Sequence, residues 1–326
     1  MSTKSLKPVV NWLFLGYFLI FAMVVIGGIT RLTGSGLSMA DWKPIMGAIP
    51  PLNEIDWLEK FELYKATPEY KIVNNHFSLE EFKSIFWWEF IHRDLGRLIG
   101  LIFIIPFITF WIQKRFDKSL LKKMFIILAL GALQGLLGWY MVSSGLVDKP
   151  HVSHFRLAAH FITALSAMLY IFWVAISILF PNRTSSPFIN KRIKTLSFIV
   201  LFQIIYGAFT AGLKAGFGNY LFVDIFSFPD QINSFLNHGP TVLFVHRYLA
   251  IIITIYATYI YFTSIKTKNI LSHQATGLKI ILATVYGQVL LGILTLLNSV
   301  PINLGVLHQA GAVVVITSCI YLIRRT

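Results

Sequence analysis

Eight runs of about 20 predominantly apolar residues limit what this chain can become: approximately 9–29, 87–112, 122–142, 155–180, 195–213, 241–264, 278–297 and 302–323. A helix of about 20 residues crosses the roughly 30 Å hydrocarbon core of a bilayer. Inside that core every backbone amide needs an internal partner, so runs of this length fold as helices. The reading is an all-α polytopic membrane protein with eight transmembrane helices. Composition agrees, because only 13% of the 326 residues are charged and 56% are hydrophobic, whereas soluble domains carry about 25% charged residues.

The net charge of +14 is a topology signal rather than a nucleic-acid footprint. Lys114, Arg115, Lys118, Lys122 and Lys123 crowd the loop after the second run. Arg183, Lys191, Arg192 and Lys194 follow the fourth run, and Lys266, Lys268 and Lys279 follow the sixth. Lys4, Lys7, Arg324 and Arg325 flank the termini, while the opposite short loops hold only Lys149, Arg156 and Lys214. Basic loops stay in the cytoplasm. Both termini are therefore expected inside, and segment 30–86, rich in Trp, Tyr and Pro, is expected outside as a cap. Lipid is the implied partner, and no nucleic acid is. The single cysteine, Cys319, lies in the last run, so neither an intrachain disulfide nor a thiolate cluster can form.

The chain repeats itself. "IHRDL" at 91–95 matches "VHRYL" at 245–249, and "QGLLG" at 134–138 matches "QVLLG" at 288–292, both at an offset of 154. "GGIT" at 27–30 resembles "GAFT" at 207–210 at an offset of 180, as a longer first outer loop requires. His160 corresponds to His308 at an offset of 148. The expected organisation is two pseudosymmetric four-helix bundles, 1–185 and 186–326. Each half crosses the membrane four times, so the repeats are parallel.

His92, His160, His246 and His308 each fall about five residues inside the outer end of an even-numbered run. The other five, His76, His151, His154, His238 and His273, fall in loops. One histidine in a span is adequately explained by an interhelical hydrogen bond. Four at matched depth, one per even helix and paired by a repeat, suggest metal ligands, because ionisable residues in a membrane are costly and imidazole binds iron, copper and zinc. No run carries an H-x-x-x-H pair, and two facing imidazoles per half suit two six-coordinate haems. Arg93, Arg97, Arg156 and Arg247 at the membrane edge can pair with haem propionates or act as interfacial anchors. Gln134, Gln203, Gln288 and Thr210 are read as packing hydrogen bonds.

Glu89 precedes His92 by three residues and shares its helix face. The matching residue of the second half is Leu243. A carboxylate in one half only suits a proton acceptor, although an ion pair with Arg93 one turn on also accounts for it. Two function classes remain. One is an enzyme in which one half does chemistry and the other carries electrons. The other is a diheme b-type membrane cytochrome acting only in electron transfer. A transporter with histidine proton relays fits less well, since inverted repeats are common there.

Several stretches carry a family resemblance: "GGITRLTGSGLSMADWKPIMGAIPP" at 27–51, "TPEY" at 67–70 and "EFKSIFWWEFIHRDLGR" at 81–97, together with the four histidines. The chain resembles the haem A synthase family over essentially its whole length. Lacking loop cysteines, it is similar to the branch shared by mitochondria and many proteobacteria. The resemblance implies a haem-dependent oxidoreductase that oxidises a methyl group of haem O to the formyl group of haem A through successive hydroxylations. It implies that His92 and His160 hold the substrate haem O, with Glu89 as the catalytic carboxylate. His246 and His308 would ligate a haem b cofactor. It further implies haem O synthase and cytochrome oxidase assembly as partners, an electron acceptor that the residues do not name, and a bacterial inner membrane with haem sites toward the outer face. A homo-oligomer is compatible with it.

Overall fold

The computed structural model describes residues 5–40, 46–146, 150–182, 184, 186–218, 231–267 and 270–326. Lys4, Lys149, Arg183 and Lys268 of the charge pattern, and 41–45 of the first-loop motif, lie outside them. Eleven α-helices are described: α1 (Lys7–Leu32), α2 (Glu54–Lys65), α3 (Pro68–Ile72), α4 (Leu79–Ile112), α5 (Lys118–Ser143), α6 (His154–Leu179), α7 (Pro187–Gly212), α8 (Gln231–Asn237), α9 (Gly239–Ile265), α10 (Ser272–Leu297) and α11 (Ile302–Arg325). Eight of them, α1, α4 to α7 and α9 to α11, are long and apolar enough to cross a membrane. They coincide with the eight apolar runs.

Two helices begin well before their apolar runs. At α4, Ser78 and Glu81 form a capping box: Glu81 N–H donates to Ser78 Oγ at 3.4 Å, and Ser78 N–H donates to Glu81 Oε2 at 2.7 Å. The helix then runs 34 residues, about 51 Å at 1.5 Å per residue, which exceeds a roughly 30 Å hydrocarbon core. Its first turns therefore stand clear of the apolar layer. At α7, Pro187 starts the helix, a position where its missing N–H costs nothing.

The chain forms two compact units, Met1–Tyr17 with Met168–Thr326, and Phe18–Ala167. In the first, α7, α9, α10 and α11 pack as a closed ring in that order. Tyr17 and Thr317 share a hydrogen bond of 3.1 Å, and the Tyr17 ring lies 5.1 Å from that of Phe172. His273 sits in the first turn of α10, where Thr184 Oγ1 is 3.2 Å from its Nε2. It is thus tied into the structure rather than a loop residue.

In the second unit, α2 and α3 cap the projecting start of α4. Asn53 accepts the Asp56 N–H at 2.9 Å to start α2, and Thr67 followed by Pro68 starts α3. The two helices close over an aromatic core of Phe61, Tyr64, Phe82, Phe86 and Phe90, with Met39 and Ile85. Ring centres of Phe82 lie 5.1 Å from Tyr64 and 5.2 Å from Phe61. Tyr64 donates to Glu69 Oε2 at 3.2 Å and accepts from Asn74 at 2.8 Å. Burial and the Glu69 carboxylate push its phenol pKa up, so it stays a neutral donor. Phe82 is 0% exposed, and Phe82→Ala is expected to destabilise the cap by about 3–5 kcal/mol. Limited trypsin digestion should then cut faster at Lys60 and Lys65 while the membrane helices stay protected. An unchanged digestion rate would contradict this packing.

Candidate functional site

The four histidines share one seat design. On each odd-numbered span a glycine lies against the histidine of the following span. A methyl carbon built on Gly27 of α1 would lie 3.0 Å from His92 Cε1 on α4. On Gly138 of α5 it would lie 3.1 Å from His160 Cε1 on α6. The same test gives 3.1 Å from Gly207 of α7 to His246 Cε1 on α9, and 2.9 Å from Gly292 of α10 to His308 Cε1 on α11. A Cβ at any of these positions would push the imidazole away by a few tenths of an ångström or more, so glycine lets the ring come this close.

A glutamine stands four residues before three of these glycines, on the same helix face. Gln203 Nε2 donates to the His246 carbonyl at 2.9 Å and lies 3.5 Å from its ring Nε2. Gln288 Nε2 donates to the His308 carbonyl at 2.7 Å and lies 3.1 Å from its Nδ1. Gln134 Nε2 lies 3.1 Å from each ring nitrogen of His160. These glutamines are more than packing residues: they hold histidines. A repeated Q-x-x-x-G in "QGLLG", "QIIYG" and "QVLLG" was the available signal.

In the first unit the His246 and His308 ring centres are 6.3 Å apart and the ring planes stand at 82°. Two imidazoles bound on opposite sides of one metal ion, at bonds of about 2.0–2.1 Å, have ring centres roughly 6 Å apart. His246 Nδ1 is buried without a hydrogen-bond partner, and so is His92 Nδ1. Orphaned buried ring nitrogens are costly in a membrane interior unless a ligand takes them. Among the described residues no group of three or more His, Cys, Asp or Glu is arranged to hold a metal ion. The donor set therefore fits a metal that brings its own equatorial ligands, as haem iron does, and not a protein-only cage. In the second unit His92 and His160 sit in matching glycine seats.

Glu89 is 2% exposed, and its hydrogen-bond partners among the described residues are all donors. Ser38 Oγ and the Met39 N–H each donate to Oε2 at 2.7 Å. Arg93 donates to Oε1 at 2.6 Å and also reaches the Met39 carbonyl at 3.0 Å. The i,i+4 ion pair with Arg93 thus exists, but it is part of a larger set. Ser38 and Met39 come from the first-loop motif. Gly34, at φ +70°, ends α1 in the left-handed conformation that glycine favours, and Ser35 N–H closes the turn onto the Thr30 carbonyl at 2.8 Å. That turn leads the chain to Ser38. Three donors leave one of the roughly four acceptor positions of a carboxylate. Leu243, at the matching place in the other half, is buried at 3% exposure.

The remaining arginines differ in setting. Arg97 pairs with Asp94 at 2.9 Å. Arg156 donates to the Tyr140 carbonyl at 2.8 Å and covers the Tyr140 ring at 3.8 Å. Arg247, next to His246, is exposed.

A family model described as cytochrome oxidase assembly protein, COX15-CtaA, matches residues 10–320. The chain is 44% identical to a protein named heme A synthase from Flavobacterium psychrophilum, over 99% of each chain. It is 42% identical to the heme A synthase of Nitrosospira multiformis, over 97% of this chain and 92% of that one. It is 40% identical to that of Wolbachia pipientis wMel, over 97% and 91%.

Proposed function

This chain belongs to the cytochrome oxidase assembly protein family, and from that premise we propose how its two histidine pairs divide the work of a haem A synthase. The reaction is an oxidation: the methyl group of haem O becomes the formyl group of haem A. The protein is a multi-pass membrane oxidoreductase serving cytochrome oxidase assembly.

His92 and His160 hold the substrate haem O, and His246 and His308 hold a resident haem b. Bound haem iron supplies the redox chemistry. The protein's residues bind, orient and manage protons. The glycine seats bring each imidazole against its neighbouring helix, and glutamines hold the ring at three of them and the backbone carbonyl at two. Glu89, one turn from His92, accepts protons released as the methyl carbon is oxidised, at its remaining acceptor position. Ser38, the Met39 amide and Arg93 hold its carboxyl group in place. Arg93, Arg97 and Arg247 are propionate partners. The termini lie in the cytoplasm of a bacterial cell, and both haem sites lie toward the outer face. Haem O synthase supplies the substrate, and the electrons pass to an acceptor that the residues do not name.

What supports this division is the seat repeated four times, with buried Glu89 in one half where the other has buried Leu243. Co-expression with a source of haem O, followed by haem extraction and chromatography, tests it. Formyl haem is the expected product. Haem B and haem O without formyl haem would favour the electron-transfer cytochrome instead.

A further inference from the structure

The fourth seat lacks its glutamine. The residue four before Gly27 is Met23, at the place that Gln134, Gln203 and Gln288 fill in the other three. A thioether cannot donate to an imidazole and is at most a weak acceptor. The Met23 methyl packs one turn beyond His92, where a methyl built on Gly96 would lie 3.1 Å from its Cε. His92 Nδ1 is buried without a partner, as is His246 Nδ1, so what sets His92 apart is the missing glutamine. The four histidines therefore form a graded series. His246 and His308 are each held by a glutamine at the backbone carbonyl, with the same amide near the ring. His160 is held at the ring alone. His92 has no glutamine.

This gradient matches what two haems of different fate need. A resident cofactor must stay, whereas a substrate must leave as product after each turnover. We propose that Met23 is a positioning residue that leaves His92 unbraced, making His92 the ligand that lets go when substrate haem enters and product haem leaves. The inference rests on the assignment of His92 and His160 to the substrate.

A bound histidine exchanges by rotating away from the iron, and a glutamine amide on its ring or backbone resists that rotation. Met23→Gln supplies the missing amide from a position that reaches the histidine in three other seats. One hydrogen bond of ordinary net strength slows release on the order of three- to tenfold. Gln134→Met removes the hold on His160 and accelerates release by a similar factor.

The test uses the purified haem-loaded protein in detergent, mixed with excess apomyoglobin as haem acceptor. Transfer of O- and A-type haem is followed by absorbance and identified by extraction. Met23→Gln should slow that transfer, Gln134→Met should speed it, and Met23→Leu should match the wild type. Haem B should stay bound in all of them. The low-spin spectrum of the slow variant should also resist displacement of the histidine by added imidazole. Equal transfer rates and imidazole sensitivity in Met23→Gln and wild type would overturn the proposal while leaving the site assignment intact. A wild-type protein that carries haem B but never haem O or haem A would instead overturn the assignment on which it rests.

Discussion

Glu89→Gln should stop formation of formyl haem while both haem sites remain filled. General-base groups contribute about 10²–10⁴-fold to rate, and a primary amide accepts no proton at neutral pH. The substitution also has a structural cost. Ser38 Oγ, the Met39 amide and the Arg93 guanidinium all donate to Glu89, and a glutamine presents one NH2 group to that ring of donors. Removing one partner of a buried ion pair costs about 3–5 kcal/mol because the other charge stays unpaired. The double variant Glu89→Gln/Arg93→Gln, compared with Arg93→Gln alone to account for the loss of Arg93 as a propionate partner, separates the two effects. It removes both charges, so if Glu89 only neutralised Arg93, haem A yield would recover. The expected result is continued absence of haem A with haem B content near that of the wild type. Unchanged haem A in the single variant would reduce Glu89 to an ion-pair residue.

The second large effect lies in the other half. His246→Ala should abolish the low-spin absorption and electron paramagnetic resonance signals of haem b. It leaves His308 with no facing imidazole across the 6.3 Å gap. It also exposes the Gln203 amide and the Gly207 surface to a void that alanine cannot fill. The haem B to protein ratio should fall toward zero, and conversion should fail for lack of an electron route. Full retention of the low-spin signal would remove His246 from the ligand set. Thermal unfolding in detergent should meanwhile change little once the wild type has been stripped of haem, because the ring of α7, α9, α10 and α11 is held by its apolar packing.

How much of this was legible in the sequence differs by element. The eight spans were, because lipid imposes length and apolarity directly on the residues. The true starts of α4 and α7 were not. Hydropathy marks the lipid-crossing part, whereas Ser78 with Glu81 and Pro187 set where the helix begins. The cap was expected as a loop rather than as α2 and α3. Its helices are short and mixed in polarity, and only Asn53, Thr67 and Pro68 announce them. Their stability comes from Phe61, Tyr64 and Phe82 meeting across distant positions.

At the site, the four histidines and the Glu89–Leu243 asymmetry stood out from spacing and repeat alone. The glutamines did not. Gln203 in a span is equally good at packing or at holding a ligand, and its 2.9 Å bond to His246 decides between them. The partners of Glu89 were also hidden. Ser38 and Met39 are about 50 residues away in the chain, and no periodicity links a loop motif to a helix face. Met23 was invisible for a further reason: an apolar residue in an apolar run carries no signal until the other three seats show what it replaces.

The central claim is that the two histidine pairs hold haems with different jobs. Its most direct test is the haem content of His92→Ala/His160→Ala, purified after co-expression with a haem O source and resolved by chromatography of the extracted haem. The expected result is haem B at wild-type stoichiometry with no haem O and no haem A. Loss of haem B from that variant, or retention of formyl haem in it, would contradict the division.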